Sequence, residues 1–350
     1  MKQSELVCLC RAGFEKELAS ELNDIATAAS VFGYVKTQAN SGFGVYICSN
    51  FEDAEKLHRS INYQSLTFIR HWFISHGVLG DLGLTDRATP IANALEEMPR
   101  VRRTDSVYLD TNEGKSLNTL SKAVVKHVDK IITTETNSLW VGQVLFLDNQ
   151  TAYVGASLHS QISPWPSGIL HLRVPRSAPS RATLKLEEAW HQFVPKKDWE
   201  MRLAPSMTAV DLGAAPGGWT WQLVNKHMFV QAIDNGPMDE SLMESGQVTH
   251  HRSDGFVYTP SKTVDWLVCD IADKPSRVTS MIIRWAKNRW FREAVFNLKL
   301  PMKQRYVAVS DAKEAIAKAM GSENIKFHLR IKQLYHDREE VTAHLRLFDS

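Results

Sequence analysis

The second half of the chain alternates short apolar runs with amphipathic stretches. Strand-like runs are TAVDLG, FVQAID, VDWLVCD and AVFNLKL, and helix-like spacing is found in WTWQLVNKH and SRVTSMIIRWAKNRWF. This alternation predicts a parallel sheet with helices on both faces. NIKFHLRIKQLYH and EEVTAHLRLF read as two successive strands, so an antiparallel hairpin is expected at the end of the sheet. Residues 181–350 are therefore predicted to form a Rossmann-like α/β domain.

The first half has a different rhythm. LVCLC, GFEKELASELNDIA, GYVKTQ and GFGVYIC predict strand, helix, strand and strand. Further short elements follow in AEKLHRSI, LTFIRHWFIS, IANALEEM, SVYLDT, LNTLSKAVVKHVDKII, SLWVGQVLFLD and TAYVGASL. The pattern indicates a small α+β region built around antiparallel sheets over residues 1–160. SQISPWPSGILHLRVPRSAPS gathers four of the thirteen prolines with serine and glycine, which predicts a linker over residues 161–180.

Composition narrows the class without fixing the function. With 350 residues, 43% hydrophobic and 23% charged, the chain suits two globular domains. Its start reaches acidic residues without a long apolar run, so a cytoplasmic protein is expected. The four cysteines and thirteen histidines lack metal-ligand spacing, so neither a disulfide framework nor a metal is expected. Residues 161–350 hold 26 Lys+Arg against 21 Asp+Glu, and residues 1–160 hold 15 against 18, a modest cationic bias of the second half.

The stretch VDLGAAPGGWTWQLV, residues 210–224, predicts a ligand-binding turn between a strand and a helix. A dinucleotide site would require G-x-G-x-x-G, but the glycines here are Gly213, Gly217 and Gly218, and the middle glycine of that pattern is missing. A phosphate-binding P-loop fails as well, because no Gly-Lys-Ser/Thr follows. A nicotinamide-dependent oxidoreductase is therefore disfavoured.

The same turn resembles the first motif of S-adenosyl-L-methionine-dependent methyltransferases, in the form found in the FtsJ-like ribose 2′-O-methyltransferases. The resemblance implies that the cofactor contacts Asp211, Gly213, Ala215, Pro216, Gly217 and Gly218. It also implies that Asp234, in AID, binds the cofactor ribose and that Asp254, in RSDG, caps the adenine amino group. Asp270, in VCD, would lie near the reacting centre. Each aspartate alone reads as a turn residue, and their order along the chain favours the functional reading.

Two acceptor atoms other than a hydroxyl are disfavoured. Amino-group methyltransferases of nucleic acids carry Asp/Asn-Pro-Pro-Tyr/Phe after the fourth strand, whereas this chain has DIAD. Pyrimidine C5 chemistry needs a cysteine nucleophile. Cys269 should point away from Asp270 in an alternating strand, so a buried inert thiol is the better interpretation.

Two lysines and an acid outside these motifs call for an explanation. Lys185 lies in the first turn of a predicted helix, where a cation opposes the helix dipole, beside the apolar stripe Leu186, Ala189, Trp190 and Phe193. Lys299, in FNLKLP, lies inside an apolar strand, which is costly unless the ammonium is paired or neutral. Glu340, in DREEV, opens the last strand. Its neighbour Glu339 stays an alternative, because a slip of one residue exchanges the faces of a strand.

Lys185, Asp270, Lys299 and Glu340 resemble, one by one, the Lys-Asp-Lys-Glu tetrad of the FtsJ-like enzymes. A ribose 2′-hydroxyl is too weakly acidic to ionise at neutral pH, so its reaction needs a base or a strong polariser in reach. Lys299 is the candidate. Burial and Lys185 favour its neutral form, while Asp270 and Glu340 favour its charged form, so a base and a stabiliser of developing oxyanion both stay possible.

Over most of its length the chain resembles the ribosomal RNA large subunit methyltransferase M family, in RSAPSRATLKLEEA, DLGAAPGGWTWQL, FNLKLPMKQRY and LYHDREEVTAHLR. The resemblance implies 2′-O-methylation of one cytidine in the peptidyl-transferase loop of bacterial 23S rRNA and a backbone contact to the cofactor near Ala182. It also implies that residues 1–160 are a THUMP-type RNA-binding region with a ferredoxin-like part. That region would hold a structured RNA element, while basic residues of the second half deliver a single-stranded nucleotide, with Arg284, Lys287, Arg289, Lys303 and Arg305 as candidates.

Two readings stay open beside this one. Composition alone allows the first domain to serve dimerisation or protein docking. A methyltransferase fold that binds RNA or cofactor without turnover is the main alternative function, and the intact tetrad positions disfavour it. Sequence leaves the oligomeric state and the form of the RNA substrate open.

Overall fold

The structure is a computed structural model that describes residues 3–348, and the chain divides into two compact units after Leu170. The division falls within the stretch 161–180 that was predicted as a linker. The first part of that stretch packs on the first unit, where Ser167 Oγ accepts a hydrogen bond of 2.9 Å from the Tyr108 amide. A Cβ at Gly168 would lie 2.1 Å from the Arg70 carbonyl oxygen, so the backbone is in close contact there.

Within residues 3–170, the first unit contains seven strands and four α-helices. The strands are β1 (Ser4–Leu9), β2 (Gly33–Thr37), β3 (Phe43–Cys48), β4 (His71–Leu79), β5 (Val101–Val107), β6 (Trp140–Phe146) and β7 (Ala152–Leu158). The helices are α1 (Glu15–Ala29), α2 (Phe51–Arg59), α3 (Ala88–Glu96) and α4 (Asn112–Ile131). The sequence predicted every one of these elements, although the segment chosen for β5 was displaced.

All strands of the first unit form one sheet in the order β2-β3-β1-β4-β7-β6-β5. Every pairing is antiparallel except that of β5 with β6, which is parallel, so the unit is built around antiparallel pairing as expected. The first four strands with α1 and α2 have the ferredoxin-like order. Both faces of β1 are buried, with Leu6 and Cys8 in the cluster on the helix side and Val7 and Leu9 in the cluster on the other side.

Strand β5 begins five residues before the segment SVYLDT that was predicted for it and overlaps that segment only at residues 106 and 107. The strand ends at Val107, and the residues that follow lead into α4. Thr111 caps that helix, because its hydroxyl oxygen accepts a hydrogen bond of 3.0 Å from the Gly114 amide. Ser106 and Val107 of SVYLDT therefore belong to the end of β5, and Thr111 belongs to the N-cap of α4.

Over the described residues 171–348, the second unit contains seven strands and six α-helices. The strands are β8 (Thr208–Leu212), β9 (Phe229–Ile233), β10 (Val248–His251), β11 (Val264–Cys269), β12 (Phe291–Lys299), β13 (Phe327–Lys332) and β14 (Glu340–Leu347). The helices are α5 (Thr183–Phe193), α6 (Trp199–Arg202), α7 (Gly218–Asn225), α8 (Glu240–Glu244), α9 (Pro275–Lys287) and α10 (Arg305–Ser322). Strand β10 and helices α6, α8 and α10 were not predicted.

The strands of the second unit form a sheet in the order β10-β9-β8-β11-β12-β14-β13. The pairs from β10 to β12 are parallel, and β14 runs antiparallel to both β12 and β13. The predicted mostly parallel sheet with a terminal antiparallel hairpin is thereby confirmed. The predicted stripe of α5 is fully buried in the core beside the sheet, at Leu186, Ala189, Trp190 and Phe193.

This topology brings the candidate residues to one edge of the sheet. Parallel strands end at the same edge, and ligands of open α/β sheets bind there. The residues that follow or end β8, β9, β10, β11 and β12, and the first residue of β14, therefore share one region. Within residues 3–348, no helix combines the length and the apolar character that crossing a bilayer requires.

Candidate active site

The turn after β8 is held tightly against its neighbours. Gly213 has φ of +77°, and a Cβ there would lie 2.7 Å from Cγ1 of Ile271. Gly217 has φ of +122°, and a Cβ on Gly218 would lie 2.3 Å from Oγ of Ser180. Left-handed backbone favours glycine, and each close approach leaves no room for a side chain. The turn therefore presents bare backbone at the carboxyl edge of the sheet.

A cleft of about 290 Å³ opens beside this turn. Four of the predicted site residues line it, namely Gly213, Asp234, Asp254 and Asp270. The rest of its wall comes from residues that the sequence did not single out, which are Ile233, Asn235, Ser253, Gly255, Phe256, Ile271 and Ala272. Acidic groups at three strand ends thus face one cavity.

The carboxylates of Asp234 and Asp254 keep acceptor capacity for a ligand. The oxygens of Asp234 accept hydrogen bonds from the amides of Gly236 at 2.7 Å and Ala215 at 3.1 Å. Asp254 Oδ1 accepts a hydrogen bond of 2.8 Å from the Phe256 amide. An ionised carboxylate has about four acceptor positions. Both groups are therefore oriented by the backbone and still fit the hydroxyl and amino donors of a nucleoside cofactor.

Other predicted cofactor residues lie behind the cleft. Asp211 is buried and accepts a hydrogen bond of 2.7 Å from the Thr220 hydroxyl, and burial raises the pKa of Asp211 to about 7. The Pro216 carbonyl accepts a hydrogen bond of 2.9 Å from the Asp239 amide. The Ala182 carbonyl accepts the Lys185 amide and the Trp219 indole N–H, both at 3.0 Å. These groups shape the turn through contacts within the protein.

Lys185, Asp270, Lys299 and Glu340 converge in a ring of alternating charges. Lys185 Nζ lies 2.7 Å from Glu340 Oε1 and 3.3 Å from Asp270 Oδ2. Lys299 Nζ lies 3.0 Å from Glu340 Oε2 and 3.8 Å from Asp270 Oδ1. Strand pairing contributes directly, because Lys299 of β12 is the register partner of Glu340 of β14.

The electrostatics of this ring favour charged groups at two positions. Burial disfavours the Lys185 ammonium, but the carboxylates of Asp270 and Glu340 outweigh it and raise the pKa of Lys185. Burial alone would raise the pKa of Glu340, but its hydrogen bonds and ion pairs with both lysines lower it. Lys299 has the more exposed lysine side chain, 31% against 14% for Lys185. Of the two ammonium groups, that of Lys299 is the more accessible from solvent.

The structure distinguishes Glu340 from its neighbour. Glu339 has a side chain that is 65% exposed, and it pairs with Arg305 at 3.1 Å. Glu340 has a side chain that is 6% exposed, and it contacts both lysines. The alternation of strand faces therefore brings Glu340, and not Glu339, to the ring.

Two further groups on the same strand faces were missed by sequence reasoning. Asn297 lies two residues before Lys299, and its side-chain amide donates a hydrogen bond of 2.7 Å to Asp270 Oδ1. Thr342 lies two residues after Glu340 and is the register partner of Asn297. A period of two along each strand would have revealed both, because residues i and i+2 of a strand share a face.

Cys269 takes no part in this site. The side chain is fully buried, and burial raises the pKa of its thiol to about 12. Reactive cysteines are ionised and accessible. This thiol therefore packs as a small apolar group, as the alternating strand pattern indicated.

The basic residues proposed to contact RNA divide into two groups. Arg284 and Arg289 donate to backbone carbonyls at 2.7 and 3.2 Å, and Lys287 forms an ion pair of 3.0 Å with a glutamate. They lie at the far end of α9, whose 13 residues extend about 20 Å from the site edge. Lys303 is exposed in the segment just after Lys299. Only Lys303 and Arg305 are close in sequence to the ring.

The glycine turn and the cleft lined by aspartates lie within the part of the chain that matches a known class of methyltransferases. The family model described as FtsJ-like methyltransferase matches residues 178–330, and the model described as RlmM ferredoxin-like domain matches residues 1–73. Both lie in the units where the corresponding folds are observed.

Curated relatives match almost the whole chain. Three of them, from different bacteria, have the name ribosomal RNA large subunit methyltransferase M. The protein of Saccharophagus degradans is 52% identical over 98% of this chain and 99% of its own length. The protein of Cellvibrio japonicus is 50% identical over 99% and 100%, and that of Yersinia enterocolitica 45% over 98% and 96%. This chain belongs to the ribosomal RNA large subunit methyltransferase M family.

Proposed function

We propose that this chain uses S-adenosylmethionine to methylate a ribose 2′-hydroxyl of ribosomal RNA. The observation that carries the proposal is the ring of two lysines and two carboxylates at the mouth of a cleft lined by Gly213, Asp234 and Asp254. A ring of alternating charges that includes an accessible lysine suits a hydroxyl substrate, because a weak acid needs a proton acceptor or a polarising cation.

The RNA substrate is proposed from the family. The relatives are named for the large ribosomal subunit, whose long RNA in bacteria is 23S rRNA. Within that RNA, we propose one cytidine of the peptidyl-transferase loop as the target. Residues 1–160, with the predicted THUMP-type part, would hold a structured RNA element through its shape and phosphates.

The cleft residues are assigned roles toward the cofactor. The bare backbone at Gly213 would allow close approach, the Asp234 carboxylate would accept from the ribose diol, and Asp254 would accept from the adenine amino group. When bound, S-adenosylmethionine supplies an electrophilic methyl group. The remaining catalytic tasks belong to this chain's own side chains.

The two lysines are assigned different tasks. Lys185 touches both carboxylates closely, so it stays an ammonium and holds Asp270 and Glu340 in place. Lys299 has one close carboxylate, Glu340 at 3.0 Å, and the more exposed side chain. We assign Lys299 to bind the 2′-hydroxyl and take up its proton.

A transcript substitution tests the acceptor atom directly. A 23S rRNA transcript with 2′-deoxycytidine in place of cytidine should accept no methyl group, while a transcript with 2′-deoxyuridine in place of uridine should still accept one. Filter binding of both transcripts controls for lost affinity. Methylation of the deoxycytidine transcript would contradict the proposal, because that RNA lacks the proposed acceptor.

A further inference from the structure

A chain of buried hydrogen bonds runs from the ring into the core of the second unit. The Asn297 amide lies 2.7 Å from Asp270 Oδ1, Thr342 Oγ1 lies 2.8 Å from Asn297 Oδ1, and Asp337 Oδ1 lies 2.9 Å from Thr342 Oγ1. Asn297, Thr342 and Asp337 are fully buried. The other oxygen of Asp337 accepts a hydrogen bond of 2.8 Å from the Leu334 amide.

The hydrogen bonds of this chain have one consistent direction. Thr342 has a single hydroxyl proton, so it can donate either to Asn297 or to Asp337. If it donated to Asp337, Asn297 would have to turn its NH₂ group toward Thr342 and its oxygen toward the Asp270 carboxylate, which is repulsive. With the Thr342 proton directed to Asn297, the contact of 2.9 Å between Thr342 Oγ1 and Asp337 Oδ1 requires a proton on Asp337, and burial, which holds the pKa of Asp337 well above its usual range, favours that form. The order of donors is then Asp337, Thr342, Asn297, with Asp270 as the final acceptor.

The last hydrogen bond of this series, from Asn297 to Asp270, makes the contacts of the two lysines different. The Asn297 amide takes Asp270 Oδ1 at 2.7 Å, and Lys299 Nζ stays 3.8 Å from that oxygen, beyond hydrogen-bonding distance. The opposite oxygen, Oδ2, faces Lys185 at 3.3 Å. Asp270 therefore favours Lys185, and Lys299 keeps one close carboxylate.

We propose that Asn297 is a positioning residue that, held by Thr342 and Asp337, fixes the Asp270 carboxylate at a distance of 3.8 Å from Lys299 Nζ and so keeps Lys299 from a second carboxylate hydrogen bond. The proposal rests on the proposed role of Lys299 as the group that receives the 2′-hydroxyl proton. Hydrogen bonds to two carboxylates stabilise the charged form of a lysine, so such a lysine accepts the substrate's proton less readily. The Asn297 chain thereby assigns the two lysines of the ring to different tasks.

The test compares matched variants of Thr342 and Asp337, two members of this series of hydrogen bonds. Thr342→Val preserves shape and removes the hydroxyl, while Thr342→Ser keeps it. Asp337→Asn keeps a neutral donor and an acceptor, whereas Asp337→Ala removes both. Each variant is measured for kcat and KM on 23S rRNA, for cofactor affinity by calorimetry, and by crystallography for the distance from Lys299 Nζ to Asp270 Oδ1.

Thr342→Val and Asp337→Ala should lower kcat by about 10- to 100-fold, with KM and cofactor affinity within about threefold of the wild type. In their crystal structures the distance from Lys299 Nζ to Asp270 Oδ1 should shorten from 3.8 Å toward about 3 Å. Thr342→Ser and Asp337→Asn should restore most of kcat and keep the longer distance. A purely structural role would lower the melting temperature and leave kcat per folded molecule unchanged.

The proposal is overturned if Thr342→Val turns over as fast as Thr342→Ser, or if the distance stays at 3.8 Å in Thr342→Val. Failure of the proposed function looks different, because the wild-type protein would then place no methyl group on a 2′-hydroxyl. The crystallographic distances need neither substrate nor turnover, so they decide the positioning question in that case as well.

Discussion

The two carboxylates of the ring differ in how closely they contact the two lysines. Glu340 contacts Lys185 at 2.7 Å and Lys299 at 3.0 Å from a position that is nearly closed to solvent. Asp270 contacts the same two lysines at 3.3 and 3.8 Å. Glu340 therefore supplies the larger share of the negative charge that orders both ammonium groups.

Glu340→Gln should lower kcat about 100-fold, because both lysines lose a charged partner and their orientation. Glu339→Gln is the matched control one residue away, and its kcat should stay within about twofold, since that side chain is exposed. Steady-state kinetics on 23S rRNA measures both. Equal losses in the two variants would contradict the assignment of Glu340 to the ring.

Gly213 and Gly246 form a second matched pair. Both have left-handed φ values, +77° and +69°, but a Cβ would meet Ile271 only at Gly213. Alanine should cost each variant about 1–2 kcal/mol of stability from backbone strain. Only Gly213→Ala should also weaken S-adenosylmethionine binding, by more than about tenfold, because Ile271 would have to shift within the cleft wall. Calorimetry separates the two effects, and equal cofactor affinities would refute this role of the turn.

At the scale of elements, the sequence predicted what periodicity encodes. The apolar stripe of α5 and the parallel strands were predicted because their buried positions repeat at regular spacing. Helix α10 was missed because its buried residues, Val309, Ala312, Ile316 and Met320, form a narrow stripe that includes alanine. Strand β10 was missed because it has four residues and two of them are histidine.

The candidate site was predictable to a similar degree. Lys185 and Lys299 could be selected because a cation in a first helical turn or in an apolar strand needs a reason, whereas Asp270 and Glu340 were selected through the resemblance to the FtsJ-like tetrad. Asp337 could not be selected, because a buried aspartate in a turn reads as an ordinary turn residue. Its contact with Thr342 depends on the pairing of β12 with β14, and only the tertiary structure fixes that register.

An ion-pair cluster on β12 and β14 predicts how stability depends on pH. Glu293 accepts hydrogen bonds from Arg202 Nε at 2.8 Å and His344 Nε2 at 2.9 Å. Burial opposes its charge, but these partners lower the pKa of Glu293 to about 2, and burial lowers the pKa of His344 to about 4. Both groups bind a proton more readily in the unfolded chain. The free energy of unfolding should therefore fall as the pH drops from about 6.5 toward 2.

Glu293→Gln should lower the free energy of unfolding by roughly 3 kcal/mol at pH 7 and should flatten its decline in acid. Glu323→Gln removes an exposed ion pair with Lys287 and should cost less than about 1 kcal/mol. Urea titrations at several pH values measure both variants. An unaltered acid response in Glu293→Gln would show that this cluster does not govern it.

At the scale of the whole molecule, chemistry and charge belong mainly to the second unit. Its 171–350 segment holds 26 Lys+Arg against 21 Asp+Glu, whereas residues 1–170 hold 15 against 18. Every residue of the cleft and the ring also lies in the second unit. The proposed division of labour gives RNA capture to the first unit and chemistry to the second.

A fragment of residues 171–350 should bind S-adenosylmethionine within about threefold of the full chain, since the second unit has a core of its own. Its affinity for 23S rRNA should fall at least about tenfold, because the first unit's contacts are lost. Calorimetry and filter binding measure the two affinities. Full RNA affinity in the fragment would assign the first unit another role, such as dimerisation or protein docking.

Nucleoside analysis of methylated RNA measures directly whether the protein methylates a ribose 2′-hydroxyl and whether this requires Lys299. The protein is incubated with methyl-labelled S-adenosylmethionine and unmodified 23S rRNA, and the digested RNA is analysed by mass spectrometry. We expect a single labelled 2′-O-methylcytidine with the wild-type protein. This product should be absent with a Lys299→Ala variant that still binds cofactor and RNA. Label on a base, or an unchanged yield with Lys299→Ala, would contradict this expectation.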